Sequence, residues 1–573
     1  MTLVKRFLPL GLVALLTASA AAVPTLIQGA PAAAPKGPTV MVAAAEPAAV
    51  DAGLKILKAG GSAVDAAVAV QAVLGLVEPQ SSGLGGGSFM VYYDAKTHQV
   101  TAYNGRETAP AGATPEMFYG PDGRPLPKGQ AIIGGRSAGV PGAVAMLHLA
   151  QSQHGKLAWA NLFGDAEHLA ADGFAVPPRM AAAASSRAPQ ASQPDAVAYF
   201  TKPDGTKVQA GDVMKNPAYA DTLRKIAAQG PKALLEGPIA EAIVAKLHQA
   251  PIPGSMTLKD LASYRPKATP AVCRPYRVYV VCVPPAPSGG PAVLEGLGIL
   301  QRTDIAAHRN DAQGWYLFSQ ASRLMYVDRD RYYGDPDFVD VPMEGLLAAD
   351  YLDARAKLIN PATAGPPPPP GNPRGAGVRA PDRTKEPGGT THFVIVDKDG
   401  NVVSMTTTVE SIFGDGRMVA GFFLNNQLTD FSFEPKETDG APAANAVGPG
   451  KRPRSSMSGA IVLDRQGRFV EAVGSPGGPS IIAFNLKALV ATLDWKFPMQ
   501  DALALPNLIA AGNFYASEPA KYPPGVVDQL AAKGVKLQGG PFGEGSGLHG
   551  IEATPNGLRG GADPRREGVA KGY

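Results

Sequence analysis

The chain has 573 residues, 45% hydrophobic and 18% charged, with a formal net charge of +4. This is a globular composition, long enough for one large core or two cooperating units. No block of Lys or Arg stands out, which argues against a nucleic-acid surface. The 8 histidines are scattered with no HExxH or CxxC, which argues against a structural or catalytic metal such as zinc.

The N-terminus reads as a targeting segment. Lys5-Arg6 is a basic start, Phe7–Leu16 is apolar, and Ala18-Ser19-Ala20 and Ala20-Ala21-Ala22 are A-x-A cleavage sites. The apolar run is short for a membrane span. We expect a signal peptide over 1–22, an Ala/Pro-rich leader over 23–40, and export to the periplasm or beyond; an uncleaved anchor is the other reading. Only two cysteines occur, Cys273 and Cys282, flanking a short hairpin-like segment. An oxidising compartment permits a disulfide there, and the sequence leaves the pairing open.

Ala48–Lys58 reads as a helix that begins after Pro47 and ends at Gly60-Gly61. Ser62 is placed to cap a second helix, Ala63–Leu76. The run Gly85-Gly86-Gly87 precedes a strand, Phe89–Tyr93, rather than opening a helix. It therefore speaks for close backbone packing and not for a dinucleotide site. Residues 140–260 are mostly helical by pattern. Val278–Val283 is a strand, Pro284–Gly290 a rigid turn, and helices follow over Ala292–Leu300 and Ala312–Val327. Residues 361–389, with Pro366–Pro370, read as a flexible linker.

Beyond the linker the pattern changes to strands, Thr391–Asp397 and Val402–Thr408. They are joined by Asp397-Lys398-Asp399-Gly400, which suits a type I turn with a glycine bulge. That register puts Thr390 opposite Thr408; a two-residue loop would shift it by one. Further strands are expected at Gly421–Leu424, Ala460–Leu463 and Phe469–Val473, and helices at Ser480–Leu493 and Met499–Ala504.

The chemistry centres on Gly388-Gly389-Thr390-Thr391-His392. A hydroxyl residue behind a tether, at the first position of a buried strand, suits a chain that cuts itself between Gly389 and Thr390. The cut would free the Thr390 amine beside its own hydroxyl, giving base and nucleophile in one residue. Thr408 would orient that hydroxyl. Gly474-Ser475-Pro476-Gly477-Gly478-Pro479 follows a strand and opens a helix, so the Gly477 and Gly478 N–H groups suit an oxyanion hole. Arg106 offers a bidentate clamp for a carboxylate, and Ser455-Ser456 offer hydroxyl donors. Glu410 and Asp430, the latter in Asn425-Asn426-Gln427-Leu428-Thr429-Asp430, offer acceptors for an ammonium. Singly, each is an ordinary polar residue; their weight lies in co-occurrence.

From about Val40 to Tyr573 the chain resembles the γ-glutamyltransferase family (γ-glutamyl transpeptidase, glutathione hydrolase) of N-terminal nucleophile hydrolases. The resemblance rests on Gly60–Ala69, Gly85-Gly86-Gly87, Arg106-Glu107, Pro284–Gly290, Thr390-Thr391-His392, Asn425-Asn426-Gln427, Lys451-Arg452-Pro453-Arg454-Ser455-Ser456-Met457-Ser458 and Gly474–Gly478. It implies an α+β fold, a four-layer αββα sandwich. It also implies autocatalytic cleavage into a large subunit, here 41–389, and a small one, 390–573, that form a heterodimer. By matched position, Thr390 is the nucleophile and Thr408 its partner. Arg106, Ser455 and Ser456 bind the γ-glutamyl carboxylate, Gln427 and Asp430 its amine, and Gly477 and Gly478 the oxyanion. Glu410 stands where Asn is common. Ser432–Ala444 is short and lacks the aromatic lid residue of some bacterial members. The implied reaction moves the γ-glutamyl group of glutathione or related compounds to water or to amino acid and peptide acceptors, with no cofactor and no metal. The nearest alternative is a glutaryl β-lactam (cephalosporin) acylase of the same fold; a non-catalytic exported solute-binding protein is a rival of another class.

Overall fold

The computed structural model describes residues 37–384, 386, 388–436, 440–540 and 545–573. The expected signal peptide and most of the leader lie outside the described residues. Local signals set the first elements. Pro47 occupies the first turn of the helix Pro47–Lys58. Ser62 and Asp65 form a reciprocal capping box on Ala63–Val77, a device that satisfies two otherwise orphaned N–H groups. That second helix is buried along its whole length, so it belongs to a core layer and not to an exposed face.

Two antiparallel sheets form the centre. The larger has seven strands in the order 569–572, 41–44, 390–396, 402–408, 87–94, 99–104, 267–270. The smaller has six, in the order 557–562, 549–554, 469–474, 460–464, 279–283, 272–276. Strand periodicity assigns the faces. Along Thr390–Val396, Phe393 and Ile395 point into a core shared with the helices Pro47–Lys58, Ala63–Val77 and Ala143–His154. Val394 and Val396 point the other way, into the layer between the sheets, where they meet Ile461, Ala472 and Ile551. The outer face of the smaller sheet carries Gly290–Leu300, Ala312–Tyr332 and Ile481–Leu493. The architecture is the αββα sandwich. Each fully buried large apolar side chain contributes about 1.5–3 kcal/mol relative to exposure.

The central strand is apolar on both faces because both faces are covered. Its hairpin partner Val402–Thr408 pairs with Val396↔Val402 and Thr408↔Thr390, the register expected from a glycine-bulged turn. Asp397 N–H donates to Asn401 O at 3.0 Å, and Gly400 takes φ +83°. The same Asp397 carboxylate accepts from Ala63 N–H at 3.0 Å, tying the turn to the start of the buried helix. Cys273 and Cys282 face each other across adjacent strands and form a disulfide.

Four features differ from expectation. Strands 41–44, 99–104, 267–270, 549–554, 557–562 and 569–572 carry too little alternation to be read from sequence. Gly421–Leu424 contributes only a two-residue pair, Phe422–Phe423. The helix after Gly474–Gly478 begins at Ile481, behind a single 3-10 turn. The described part of 361–389 has no helix and no long strand, as a linker should, yet it is pinned to the body. Gly371 N–H donates to Asp328 at 2.7 Å, and Tyr332 Oη donates to Gly371 O at 2.6 Å.

Candidate active site

Thr390 opens the central strand and is buried. Its Oγ1 donates to Thr408 Oγ1 at 3.2 Å. Thr408 Oγ1 in turn donates to the Gly389 carbonyl at 2.6 Å and accepts from Glu410 N–H at 2.8 Å. One hydroxyl therefore both orients Thr390 and polarises the carbonyl on the N-terminal side of its peptide bond. The approach is tight. A Cβ on Gly389 would lie 2.5 Å from Glu410 O, and one on Gly86 would lie 2.0 Å from Thr408 O. The glycine run holds the neighbouring strand against the end of Val402–Thr408, as the sequence suggested.

Just past Thr408 the chain reverses, and Glu410 sits at φ +83°, a region non-glycine residues rarely occupy. The turn aims its side chain into a narrow cleft in front of Thr390, lined also by Arg106, Gln427 and Asp430. Asn426 Nδ2 holds Glu410 Oε2. Gln427 Nε2 donates to Asp430 Oδ2 at 2.7 Å. Asn425 fixes this loop by donating to Gly85 O and Gly139 O at 2.8 and 2.9 Å. Three acceptors in the cleft are left over. Glu410 Oε1, Gln427 Oε1 and Asp430 Oδ1 are buried and meet no hydrogen-bond donor among the described residues. Burial, and then the Asp430 charge, push the Glu410 carboxyl well above the usual carboxylate range. Lys128 and the Asn426 hydrogen bond act the other way and are outweighed.

Arg106 is buried and less of a free clamp than its sequence position suggests. Nη2 donates to Asp430 at 2.6 Å and to Arg454 O at 2.7 Å, and Nε donates to Pro453 O at 3.2 Å. Ser455 and Ser456 line the same cleft. Ser455 Oγ accepts from Met457 N–H at 3.1 Å. Ser456 Oγ donates to Glu386 at 2.5 Å. Gly478 also lines the cleft, and Gly477 precedes it at the start of the same turn. Both have positive φ, +133° and +57°, which glycine adopts freely, so they form a turn ahead of the helix rather than its first turn. Among the described residues neither N–H is taken up by a hydrogen bond.

The structure adds groups that sequence reasoning missed. Glu386, four residues before Thr390, enters the cleft and is held by Arg329 and Arg454. Arg454 lies inside the quoted Lys451–Ser458 motif, which was the available signal. Nothing local marks Glu386 or Arg329. Behind Thr390, Arg566 Nη1 donates to Thr390 O at 3.2 Å. His392, within the strand, and His549 beside it are buried; burial first, then His549 for His392 and the Arg566 charge for His549, lowers both, His549 to about 3. They stay neutral and pack rather than titrate.

The gamma-glutamyltranspeptidase family model matches residues 49–573. A glutathione hydrolase proenzyme of Bacillus subtilis is 35% identical over 555 residues, covering 93% of this chain and 91% of its own. A cephalosporin acylase from Bacillus halodurans superposes with a TM-score of 0.82 at 27% identity, over 96% of this chain and 99% of that one. The Helicobacter pylori gamma-glutamyltranspeptidase gives 0.54 at 32% identity, over 58% of this chain and 94% of that one. The chain therefore belongs to the gamma-glutamyltranspeptidase family.

Proposed function

We propose that the chain is a proenzyme that cleaves itself before Thr390 and then acts as a γ-glutamyltransferase and glutathione hydrolase. In the first step Thr390 Oγ1 attacks the Gly389 carbonyl carbon. Its proton passes to the Thr390 nitrogen as the C–N bond breaks, which leaves an ester between Gly389 and Thr390. Thr408, already donating to that carbonyl at 2.6 Å, stabilises the developing oxyanion; one such donor is typically worth about 3 kcal/mol. The Thr390 amine is free once the ester forms, and water then hydrolyses that ester, releasing the Gly389 carboxylate and restoring the Thr390 hydroxyl.

In the second reaction that amine takes the proton from Thr390 Oγ1 as the hydroxyl attacks the γ-amide of glutathione or a related donor. Gly477 and Gly478 receive the oxyanion through their unused N–H groups. The protonated amine passes its proton to the departing amine, and a γ-glutamyl ester remains on Thr390. Water, or an amino acid or peptide amine, takes up the acyl group. The chain's own residues supply every proton transfer. The basic, apolar N-terminus and the Cys273–Cys282 disulfide support an exported protein.

The observation that carries this reading is the trio of unfilled acceptors, Glu410 Oε1, Gln427 Oε1 and Asp430 Oδ1. Buried acceptors left unpaired are costly, and an α-ammonium satisfies all three at once. The second reading, a glutaryl β-lactam acylase, draws on the full-length likeness to the cephalosporin acylase. A glutaryl group has no amine and would leave the trio unfilled. Two measurements decide. On a denaturing gel the mature protein should run as two bands near roughly 40 and 20 kDa at about 110 Da per residue, and Thr390→Ala as one. Purified two-chain enzyme should turn over a γ-glutamyl anilide at least about 100-fold better than the glutaryl anilide, as expected for a missing buried polar partner. Equal turnover, or a preference for glutaryl, would overturn the γ-glutamyl assignment.

A further inference from the structure

A second hollow adjoins the scissile segment. Thr390 lines the cleft described above, whereas Gly388 lines a separate cavity of about 560 Å³. Glu410 and Ser411 divide in the same way, the first lining the cleft and the second the cavity. The volume falls in the usual range for a small-molecule site, roughly 300–1,000 Å³. Its walls are mostly apolar, with Ile132, Ala183, Pro189 and Ile412. Gln80 and Gln190 break that pattern, and both are buried. Gln190 Nε2 donates to Ser411 Oγ at 2.5 Å. Gln190 Oε1 and both amide atoms of Gln80 meet no hydrogen-bond partner among the described residues. Buried amide groups left unpaired are costly. These three atoms call for a ligand that carries both an N–H and a carbonyl.

The chemistry puts the departing amine on this side. As the bond from the donor's carbonyl carbon to its amine nitrogen breaks, the Thr390 ammonium passes a proton to that nitrogen. The two nitrogens must therefore lie within hydrogen-bond reach. In the uncleaved chain the group bonded to the Thr390 nitrogen is the Gly389 carbonyl. Gly388 comes next, and two residues of chain span at most about 7 Å. The cut detaches Gly389 from the nitrogen and opens a path from it toward the cavity. A donor whose acyl part fills the cleft then carries its amine part to the place Gly388 occupies before the cut. An amine that attacks the acyl ester returns by the same path. Arg179 also lines the cavity, but its Nη1 donates to Glu78 at 2.5 Å, so its charge is already met.

We propose that this cavity binds the amine half of the reaction, as leaving group and as acceptor, and that it selects a peptide-like amine whose first side chain is apolar. This rests on the γ-glutamyl assignment above and adds the class of amine to it. The side chain packs against Ile132, Ala183 and Ile412. The amide that follows pairs with Gln80 and Gln190. With Arg179 engaged by Glu78, the cavity favours that neutral amide over a free carboxylate.

The test measures kcat/KM for hydrolysis of three donors by the two-chain enzyme. They are the γ-glutamyl amides of leucinamide, of glycinamide and of 3-methylbutylamine, the last being leucinamide without its carboxamide. Wild type should prefer the leucinamide donor to the glycinamide donor by at least about 10-fold, the usual discrimination of an apolar pocket for added methylenes. Ala182 lines the cavity from an exposed position on the helix Pro178–Ala184. Filling the space with Ala182→Trp should cut that preference to about 2-fold or less. Gln80→Leu should weaken the leucinamide donor about 5-fold or more relative to the 3-methylbutylamine donor, as expected for a buried amide that loses its partner. Should Gln80→Leu fail to give two chains, Gln80→Met serves in its place. A wild type that treats the leucinamide and glycinamide donors alike, or prefers the second, overturns the proposal. So does an unchanged ratio in either variant, which is what a merely structural effect would give. An enzyme that hydrolyses the γ-glutamyl anilide but none of the three donors overturns it as well. An enzyme that hydrolyses no γ-glutamyl donor at all sinks the γ-glutamyl assignment itself, a different result.

Discussion

Glu410 shows how one side chain can be set by the group it waits for. Its backbone is forced to φ +83° so that the carboxyl faces the cleft. There burial, reinforced by Asp430, pushes its titration upward, with Lys128 and Asn426 acting in the opposite sense. A raised carboxyl pKa means the empty site holds the proton. An incoming α-ammonium favours the ionised form, so donor binding releases that proton. The sign follows: donor affinity rises with pH until the free ammonium itself deprotonates. We therefore expect donor KM to fall with rising pH on the acid side in the wild type, by at most about tenfold per unit for one proton, and Glu410→Gln to remove that slope. The Thr390 amine titrates too, but its protonation appears in kcat, which keeps the two apart. An identical KM profile in Glu410→Gln would exclude Glu410 as the titrating group.

At the level of elements, the glycine run 85–87 and the strand end at Thr408 form one unit. A Cβ on Gly86 would press to 2.0 Å from Thr408 O, and one on Gly87 to 2.2 Å from Glu107 Oε2. Neither backbone can yield without moving Thr408. Gly86→Ala should destabilise by about 1–3 kcal/mol, the usual cost of overpacking, and should slow self-cleavage by more than that loss explains. Gly164→Ala, where a Cβ meets nothing within 4 Å, should leave the cleavage rate unchanged. Denaturant midpoints and gel time courses on both variants measure this; parallel effects would mean that the glycine run serves stability alone. The same elements show what the sequence can and cannot reveal. The Thr390–Val396 hairpin was legible because β-branched residues flank an Asp-Gly turn, and turn chemistry fixes register. Gly557–Ala562 was not legible, because Gly560 and Gly561 carry no side chain. Instead they let Ala570 and Met41, and Gln500 and Met499, approach the backbone. The polar trio at Glu410, Gln427 and Asp430 could be assembled from motifs. The Glu386–Arg329–Arg454 contact could not, since it joins three segments distant in sequence through tertiary packing.

Across the whole molecule, the proposed cut falls inside a shared sheet and not between domains. Strand 41–44, from the first segment, lies between 390–396 and 569–572, both from the second, and 402–408 pairs with 87–94. In the smaller sheet 460–464 pairs with 279–283. The layer between the sheets mixes Met41, Val91 and Cys282 with Val394, Ile461 and Ile551. Separating the two polypeptides would unzip both sheets and open every core layer, exposing apolar surface at roughly 25 cal/mol per Å². The cleaved protein should therefore behave as one cooperative unit. Both chains should co-elute in a single size-exclusion peak without denaturant, and a thermal melt should show one transition rather than two. Chains that part under native conditions, or that unfold in separate steps, would mean that the strand pairings across position 390 do not survive cleavage. The Thr390 amine would then lose the neighbours that give it its place.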